Sequence, residues 1–341
     1  MVSTAPSNII QPSPYDFTIH HGPDVFEKEG LPEVSWLVKP LIPASGRTIL
    51  HGPTSAGKSA LVWALGNAIQ TGRPVFSMEV RQANVLFVSL DMADIPLRIR
   101  WFGSKDNPKP KEDRFYPKFD YITPQMLPIL ERDPKGNWWI DSPKGKEFRS
   151  LLGLYQFVIF DALGAMVGNT NDPETATIAH QIFKRIMGNT PYILIHHDRQ
   201  EIIGPSGFAR KASNDDASGT RRWLDFSQHQ LHLYKKNETI RFLEQGKSQV
   251  AADRDDPWKF YISEVGKAEL YDEHKAKELE VKIAKALKGK EFTTKMQAYG
   301  IVKAHYGHGS TTTARNWVKQ TDWWENHPLG GKDPLDVLAT G

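Results

Sequence analysis

The residues best suited to chemistry are eight consecutive positions, Gly52 to Ser59, where the sequence reads Gly-Pro-Thr-Ser-Ala-Gly-Lys-Ser. They match the phosphate-binding loop pattern G-x-x-x-x-G-K-S/T at every fixed position. Backbone N–H groups of such a loop, together with the start of the following helix, point at one polyphosphate anion. Lys58 would neutralise the β- and γ-phosphates, and the Ser59 hydroxyl would bind Mg²⁺. The predicted nucleotide-binding residues are therefore Gly52, Pro53, Thr54, Ser55, Ala56, Gly57, Lys58, Ser59 and Ala60.

The sequence on either side of this loop predicts the elements that must position it. Residues 47–51 are rich in β-branched and apolar side chains and predict a strand. Residues 60–69 place Leu61, Leu65 and Ile69 on one face of a helix. Strand, glycine-rich loop and helix, in that order, are the context that the motif requires. A chance match in a glycine-rich turn would not need these flanks.

Two further apolar runs end in a carboxylate. Residues 84–90 predict a buried strand that is followed by Asp91, and residues 156–160 predict another that is followed by Asp161. Ligands of α/β proteins bind beyond the carboxyl ends of such strands. Asp161 has the position of a Walker B carboxylate, which would orient Mg²⁺ or its water shell opposite Ser59. The alternative is a strand that ends in Asp without a role in binding.

A third apolar run, residues 192–195, ends in His196 and His197. A histidine at such a strand end can contact the γ-phosphate or the attacking water, or it can simply be hydrogen-bonded at the sheet edge. The following residues, 199–220, show no apolar periodicity and contain Phe208, Arg210 and Lys211. An irregular stretch of about 20 residues within a domain is usually functional or mobile. Basic residues beside an aromatic suit single-stranded nucleic acid, whereas a plain flexible loop is the alternative.

Composition limits the class of protein. The sequence has no cysteine, which excludes disulfides and thiolate metal sites. Its net charge of +3 does not by itself indicate a nucleic-acid-binding protein. Residues 1–14 lack the basic and apolar runs of a signal peptide, and the longest apolar runs are shorter than the about 20 residues of a membrane helix. We therefore expect a cytoplasmic protein that does not enter a membrane.

The sequence predicts three parts: a proline-rich arm (1–33), a large α/β domain with a mostly parallel sheet (34–265) and a small helical domain (266–341). Residues 275–287 predict an amphipathic helix, and two shorter helices follow, as in a winged-helix module. Between residues 275 and 319, ten Lys and Arg stand against three Asp and Glu, a local net charge of +7. This surplus favours phosphate contacts; packing against a partner protein is the alternative.

The order of these elements resembles that of the RecA-like ATPases and, within them, the RepA-type plasmid replicative helicases and related phage ATPases. The similar segments are the lead-in at residues 36–43, Leu90-Asp91, Phe160-Asp161-Ala162-Leu163 and Ile195-His196-His197. The resemblance covers roughly residues 34–265. The phosphate loop alone is specific only for P-loop NTPases, whereas the ordered set is more specific for the RecA-like core.

The resemblance implies that ATP and Mg²⁺ bind between subunits of a homo-oligomer, either a hexameric ring or a filament. Asp91 would replace the glutamate that activates water in that family, with a side chain one methylene shorter. The loops after Asp161 and His197 would contact single-stranded DNA. A neighbouring subunit would supply a cation to the γ-phosphate, and the candidates are Arg221, Arg222, Arg241 and Lys247.

Three functions are compatible with these features. The first is an ATP-driven motor or helicase on single-stranded DNA in a phage, plasmid or mobile-element replication system, with a possible replication partner. The second is a recombinase-like or mediator ATPase that coats or remodels DNA without unwinding it. The third is a regulatory switch whose nucleotide-dependent assembly is the output.

Overall fold

The computed structural model describes most of the chain between residues 33 and 306. The described residues are 33–111, 114–123, 130–132, 134–167, 170–197, 222–235, 240–249, 251, 254, 256–262, 268–290 and 295–306. The chain divides into two compact units, Met1–Val34 and Ser35–Gly341, and every element below belongs to the second. None of the helices in the described ranges has both the length and the apolar character needed to cross a bilayer.

Strands and helices alternate through most of the second unit. The described strands are β1 (Trp36–Lys39), β2 (Ile42–Pro43), β3 (Arg47–Gly52), β4 (Glu79–Val80), β5 (Val85–Ser89), β6 (Asp120–Ile122), β7 (Phe157–Asp161), β8 (Tyr192–His197), β9 (His229–Lys235), β10 (Ile240–Ser248), β11 (Trp258–Ile262) and β12 (Ala268–Leu270). The described α-helices are α1 (Lys58–Thr71), α2 (Asp94–Phe102), α3 (Pro143–Leu152), α4 (Leu163–Val167), α5 (Pro173–Met187), α6 (Arg222–Asp225), α7 (Glu273–Leu287) and α8 (Lys295–Tyr306).

One large sheet organises this unit, with the strand order β12-β11-β10-β9-β3-β8-β7-β5-β6. In this spatial order, each neighbouring pair between β12 and β9 is antiparallel. Each neighbouring pair between β9 and β6 is parallel. Strand β8 separates β3, which leads into the phosphate loop, from β7, which ends in Asp161. This mixed α/β sheet, mostly parallel and centred on the phosphate loop, is the α/β architecture that the sequence predicts.

Apolar clusters cover both faces of the large sheet. One cluster joins Leu50 of β3 to Leu61 and Trp63 of α1. The other joins Ile49 of β3 to Phe183 of α5 on the opposite face. Successive side chains of a strand point to opposite faces, so the central strands bury nearly every residue. This explains why β5, β7 and β8 are continuous apolar runs rather than alternating ones.

Two local predictions are wrong. Residues 138–140 form an apolar run that predicts a short strand, but Trp139–Asp141 forms a 3₁₀ turn. Residues 223–234 alternate as in a strand, but the strand begins only at His229, because Arg222–Asp225 forms the short helix α6. There the Trp223 indole Nε1–H donates to the Thr170 carbonyl, 3.0 Å away. Short apolar runs have no periodicity that separates helix from strand, so tertiary contacts decide.

A helical hairpin follows the sheet. Helices α7 and α8 bury an apolar cluster of their own, which includes Ile283, Leu287, Tyr299 and Val302. The third predicted helix, near residues 311–319, lies outside the described residues, so a winged-helix module stays a prediction. Strand β12 continues the large sheet beyond residue 265, and the division into three domains also stays a prediction.

Candidate active site

The phosphate loop connects the end of β3 to the start of α1 through residues in left-handed conformations. Gly57 has φ 98° and Ser55 has φ 65°. The positive φ of Gly57 favours glycine, and a Cβ atom there would also lie 2.5 Å from Ile262 Cδ1 of β11. Gly52 is equally confined, because a Cβ there would overlap the carbonyl oxygen of Leu233 in β9. The phosphate loop therefore packs directly against strands β9 and β11.

Lys58 is held inside the loop. Its ammonium group donates to the carbonyl oxygens of Gly52 at 2.7 Å and Pro53 at 2.9 Å. A third contact joins Lys58 Nζ to Nδ1 of His197 at 3.2 Å. Because an ammonium group only donates hydrogen bonds, the His197 nitrogen is the acceptor. Lys58 is almost completely buried, at 4% exposure. Its positive charge therefore lies against the loop and not in solvent.

Asp161 lies at the end of β7, opposite the phosphate loop, and is buried at 4% exposure. Its carboxylate accepts a hydrogen bond from the Ser59 hydroxyl. Burial raises the pKa of Asp161 above its usual value, and the Ser59 hydrogen bond offsets this only in part. Atom Oδ2 is buried without a hydrogen-bond partner in the part of the chain that the structure describes. Mg²⁺ prefers such oxygen ligands, so Ser59 and Asp161 fit the ion.

Asp91 and His197 lie on either side of this carboxylate. Atom Nε2 of His197 is 3.6 Å from Oδ2 of Asp91, and both side chains are partly exposed. The backbone N–H of Asp91 donates to the Asp161 carbonyl at 3.2 Å, which fixes the end of β5 to the end of β7. The ring of His197 therefore spans from the lysine of the loop to the carboxylate that follows β5.

Strand register explains why these residues meet. Gly52 of β3 is aligned with His197 of β8, and Ser89 of β5 is aligned with Asp161 of β7. All four strands are parallel, so their carboxyl ends lie at one edge of the sheet. Asp94, the first residue of α2, is a second candidate for the base, but it has other partners. It accepts from the Tyr121 hydroxyl at 3.0 Å and lies 3.6 Å from Arg98.

The four candidates for a cation from a neighbouring subunit have different surroundings. Arg241 is buried in its own chain, where Nε donates to the carbonyl oxygen of Ala56 at 2.9 Å. That bond removes Arg241 from the candidates. Arg222 donates to the Thr177 hydroxyl at 2.8 Å, and Lys247 is exposed on β10. Arg221 lies outside the described residues.

Four other described histidines, His51, His196, His229 and His232, are buried. His196 is 2% exposed and packs near Trp223, with ring centroids 6.3 Å apart. His229 donates from Nε2 to the Leu41 carbonyl, so Nδ1 of the neutral ring accepts from the Ser248 hydroxyl. His232 stacks on His51 at 4.5 Å between ring centroids. Among the described residues, no group of His, Asp and Glu is arranged to hold a metal ion without further ligands, and these contacts are those of core residues.

Sequence patterns did not reveal two contacts of the site. Neither the Arg241 bond to the loop nor the Lys58–His197 contact has a local signal, because their partners are 185 and 139 positions apart in the sequence. For His197, the available signal was the apolar run before it, which predicts a strand that ends at this residue. For Arg241, the available hint was a charged residue among the apolar residues Ile240, Phe242 and Leu243 at the start of β10.

Comparison with known proteins gives a match to one family. A family model described as an AAA domain matches residues 18–201, which is more than half of the chain and includes the phosphate loop, Asp91, Asp161 and His197. No curated protein matches the chain.

Several solved structures are similar at low identity. The ATPase domain of G40P is 11% identical with a TM-score of 0.46, over 67% of this chain and 86% of that one. The RadB recombinase is 16% identical with a TM-score of 0.38, over 67% and 91%. The KaiC-like protein PH0186 from Pyrococcus horikoshii OT3 is 14% identical with a TM-score of 0.41, over 69% and 94%.

Proposed function

The chain belongs to the AAA domain family, and we propose that it hydrolyses Mg-ATP to move along single-stranded DNA, as a replicative helicase of a phage, plasmid or mobile element. One observation carries this proposal. Lys58, Asp161, Asp91 and His197 converge at one edge of the sheet, where a buried oxygen of Asp161 lacks a partner among the described residues. This is the arrangement of cation, metal ligand, base and orienting group that phosphoryl transfer requires.

Phosphate binding uses the loop and its lysine. Lys58 exchanges its bonds to the Gly52 and Pro53 carbonyls for bonds to phosphate oxygens, which are stronger because both partners are charged. Ser59 and Asp161 hold Mg²⁺ through oxygen atoms, one of which already lacks a partner. When bound, Mg²⁺ neutralises negative charge on the phosphate oxygens.

Water activation falls to Asp91. Its carboxylate is partly exposed and accepts the proton of a water molecule that attacks the γ-phosphate. His197 lies 3.6 Å from Asp91 and 3.2 Å from Lys58, so its ring orients the base relative to the phosphate. The shorter Asp side chain, compared with Glu, leaves room for a second water between carboxylate and phosphate.

Coupling to DNA follows from the position of His197. It is the last residue of β8, and the chain continues directly into residues 198–221, whose sequence favours contact with single-stranded nucleic acid. Loss of the γ-phosphate changes the contacts of His197 and thereby the start of that segment. The exposed lysines of α7 supply phosphate contacts for DNA, or contacts for a replication partner.

Assembly completes the site. Within the described residues, Lys58 is the cation that lies against both the loop and His197, and transition-state charge on phosphate calls for a further cation. A neighbouring copy can supply this cation from Arg222 or Lys247, which the structure describes, or from Arg221. A homo-oligomeric ring or filament presents such a residue to each site.

The decisive experiment measures ATP turnover with and without single-stranded DNA, followed by unwinding of a forked duplex. We expect DNA to stimulate turnover and the duplex to be unwound. Lys58→Ala lowers nucleotide affinity by about 10–100-fold, because a charged hydrogen-bonding group contributes about 1.5–3 kcal/mol. Stimulation without unwinding would support a recombinase-like or mediator ATPase. Turnover without any response to DNA would contradict both DNA-dependent functions.

A further inference from the structure

Arg241 occupies an unusual place behind the phosphate loop. It lies on β10, 6% exposed, where its direct neighbour on β11 is Phe260. Its Nε donates to the carbonyl oxygen of Ala56 at 2.9 Å, and Nη1 donates to the carbonyl oxygen of Ile240 at 3.1 Å. Burial lowers the pKa of the guanidinium, which reflects the cost of placing a cation among apolar side chains. The bond to Ala56 offsets part of that cost.

The bond to Ala56 fixes the orientation of one peptide group in the loop. A trans peptide is planar, and its C=O and N–H bonds point in opposite directions. Arg241 holds the Ala56 carbonyl towards β10, so the N–H of Gly57 points away from β10. Glycine adopts positive and negative φ about equally readily, and without a partner for the Ala56 carbonyl this peptide can rotate at little cost.

We propose that Arg241 is a positioning residue, which aims the Gly57 N–H group at the nucleotide phosphates and places a fixed positive charge behind the loop. This inference rests on the proposed binding of nucleotide at the loop. The contact is with a loop atom that serves any polyphosphate, so Arg241 acts on ATP and ADP alike. Its effect is on binding and not on the chemical step, which belongs to residues on the other side of the loop.

The test compares Arg241→Met and Arg241→Lys with the wild-type chain. Met keeps the unbranched apolar part of the side chain and removes both the charge and the donors, whereas Lys keeps the charge. We expect Arg241→Met to raise the dissociation constants of ATP and ADP by similar factors, each about tenfold or more, since the hydrogen bonds of charged groups are the strong ones. In Arg241→Met the KM for ATP should rise, whereas kcat should change much less. Arg241→Lys should recover part of the lost nucleotide affinity.

The matched control is Arg114, whose Nε also donates to a backbone carbonyl, that of Lys109, at 2.9 Å and away from the loop. Arg114→Met should leave both dissociation constants unchanged. Thermal unfolding identifies which variants are folded at the assay temperature. An unchanged KM in whichever Arg241 variant is folded, or a fall in kcat at constant KM, overturns the proposal.

Two failures are distinguishable in this design. If the wild-type chain and Lys58→Ala bind nucleotide equally weakly, the proposed function fails and the role of Arg241 falls with it. If the wild-type chain binds nucleotide and loses binding in Lys58→Ala, while folded Arg241 variants bind as tightly as wild type, only the inference about Arg241 fails.

Discussion

Nδ1 of His197, the last residue of β8, lies 3.2 Å from Nζ of Lys58, the first residue of α1. On its other side the same ring is 3.6 Å from Asp91. A single side chain therefore contacts the group expected to bind phosphate and the group expected to activate water. Strand β3, which leads into the phosphate loop, is paired in register with β8, which ends at His197. A ligand that displaces the contact between Lys58 and His197 therefore also changes the contact between His197 and Asp91.

Replacing His197 tests this connection. His197→Ala removes both contacts, and we expect kcat for ATP hydrolysis to fall by up to about 100-fold, because misplacing a reacting group by about 1 Å has an effect of that size. ATP affinity changes much less, since Lys58 keeps its backbone partners. His197→Gln retains a polar group of similar reach and should recover part of kcat. Equal kcat in the Ala variant and the wild type would contradict the orienting role.

Asp91 and Asp94 can be separated by paired substitutions. Asp91→Asn should retain ATP binding and lose hydrolysis by about 10²–10⁴-fold, the usual contribution of a general base. Asp94→Asn is the matched control, because its partners are Tyr121 and Arg98 rather than His197. Single-turnover hydrolysis of pre-bound ATP measures the difference. A larger loss in Asp94→Asn would move the base to Asp94.

The central strands and the phosphate loop could be predicted from the sequence for a clear physical reason. Strands buried on both faces are continuous apolar runs, and the loop has a fixed pattern between its strand and helix. The ends of those strands carried Asp91, Asp161 and His197, so the edge of the sheet was predictable once the strands were assumed to be parallel. The register that brings Gly52 opposite His197 is a property of the folded sheet.

The contacts of Arg241 could not be predicted, for an equally physical reason. Its bond to Ala56 depends on the antiparallel strands β9, β10 and β11 folding back behind the loop. Their pairing is non-local, and a shift by one residue would turn Arg241 to the other face of the sheet. The short helix at Trp223 was missed for a related reason, since a contact with Thr170 fixes its conformation.

Asp161→Asn should stabilise the protein at neutral pH while weakening the Mg²⁺ dependence of nucleotide binding. Burial raises the native pKa of Asp161 above that of the unfolded chain, so the native state keeps its proton to higher pH and stability falls as pH rises through that interval. At pH 7 the native state carries the cost of burying this ionisable group, and Asn removes that cost while it can still accept from Ser59. Thermal unfolding at pH 7 measures the gain; a lower melting temperature in Asp161→Asn would contradict it.

Acid should destabilise the protein partly through His229. Burial lowers its pKa to about 4, whereas an unfolded histidine binds a proton near pH 6.5. Between these values the unfolded state binds more protons, so the free energy of unfolding falls as pH decreases, by up to about 3 kcal/mol at pH 4 and below. His229→Gln does not titrate and should lack this part of the decrease. Denaturant unfolding at pH 7 and pH 4 compares the two chains, and parallel decreases would contradict the assignment.

The exposed lysines of α7 should contribute to DNA affinity through phosphate contacts. Lys277, Lys282 and Lys285 are all exposed on this helix, and none of them belongs to its apolar cluster. Replacing the three with Gln should weaken binding of single-stranded DNA about equally for all sequences, because phosphates carry no sequence information. The plot of log affinity against log salt should become shallower by about 2, at about 0.7 for each lost contact with a single strand.

A second triple variant separates a local contact from a general effect of charge. Lys105, Lys144 and Lys146 are also exposed but precede β7 and lie outside α7. Replacing them with Gln changes the net charge by the same amount. If only the total charge of the protein mattered, the slope of log affinity against log salt would change equally in the two variants. If α7 contacts DNA, only the variant in α7 shows the shallower slope, while both keep the ATP turnover measured without DNA. Equal slopes in the two variants would reassign α7 to packing or to a protein partner.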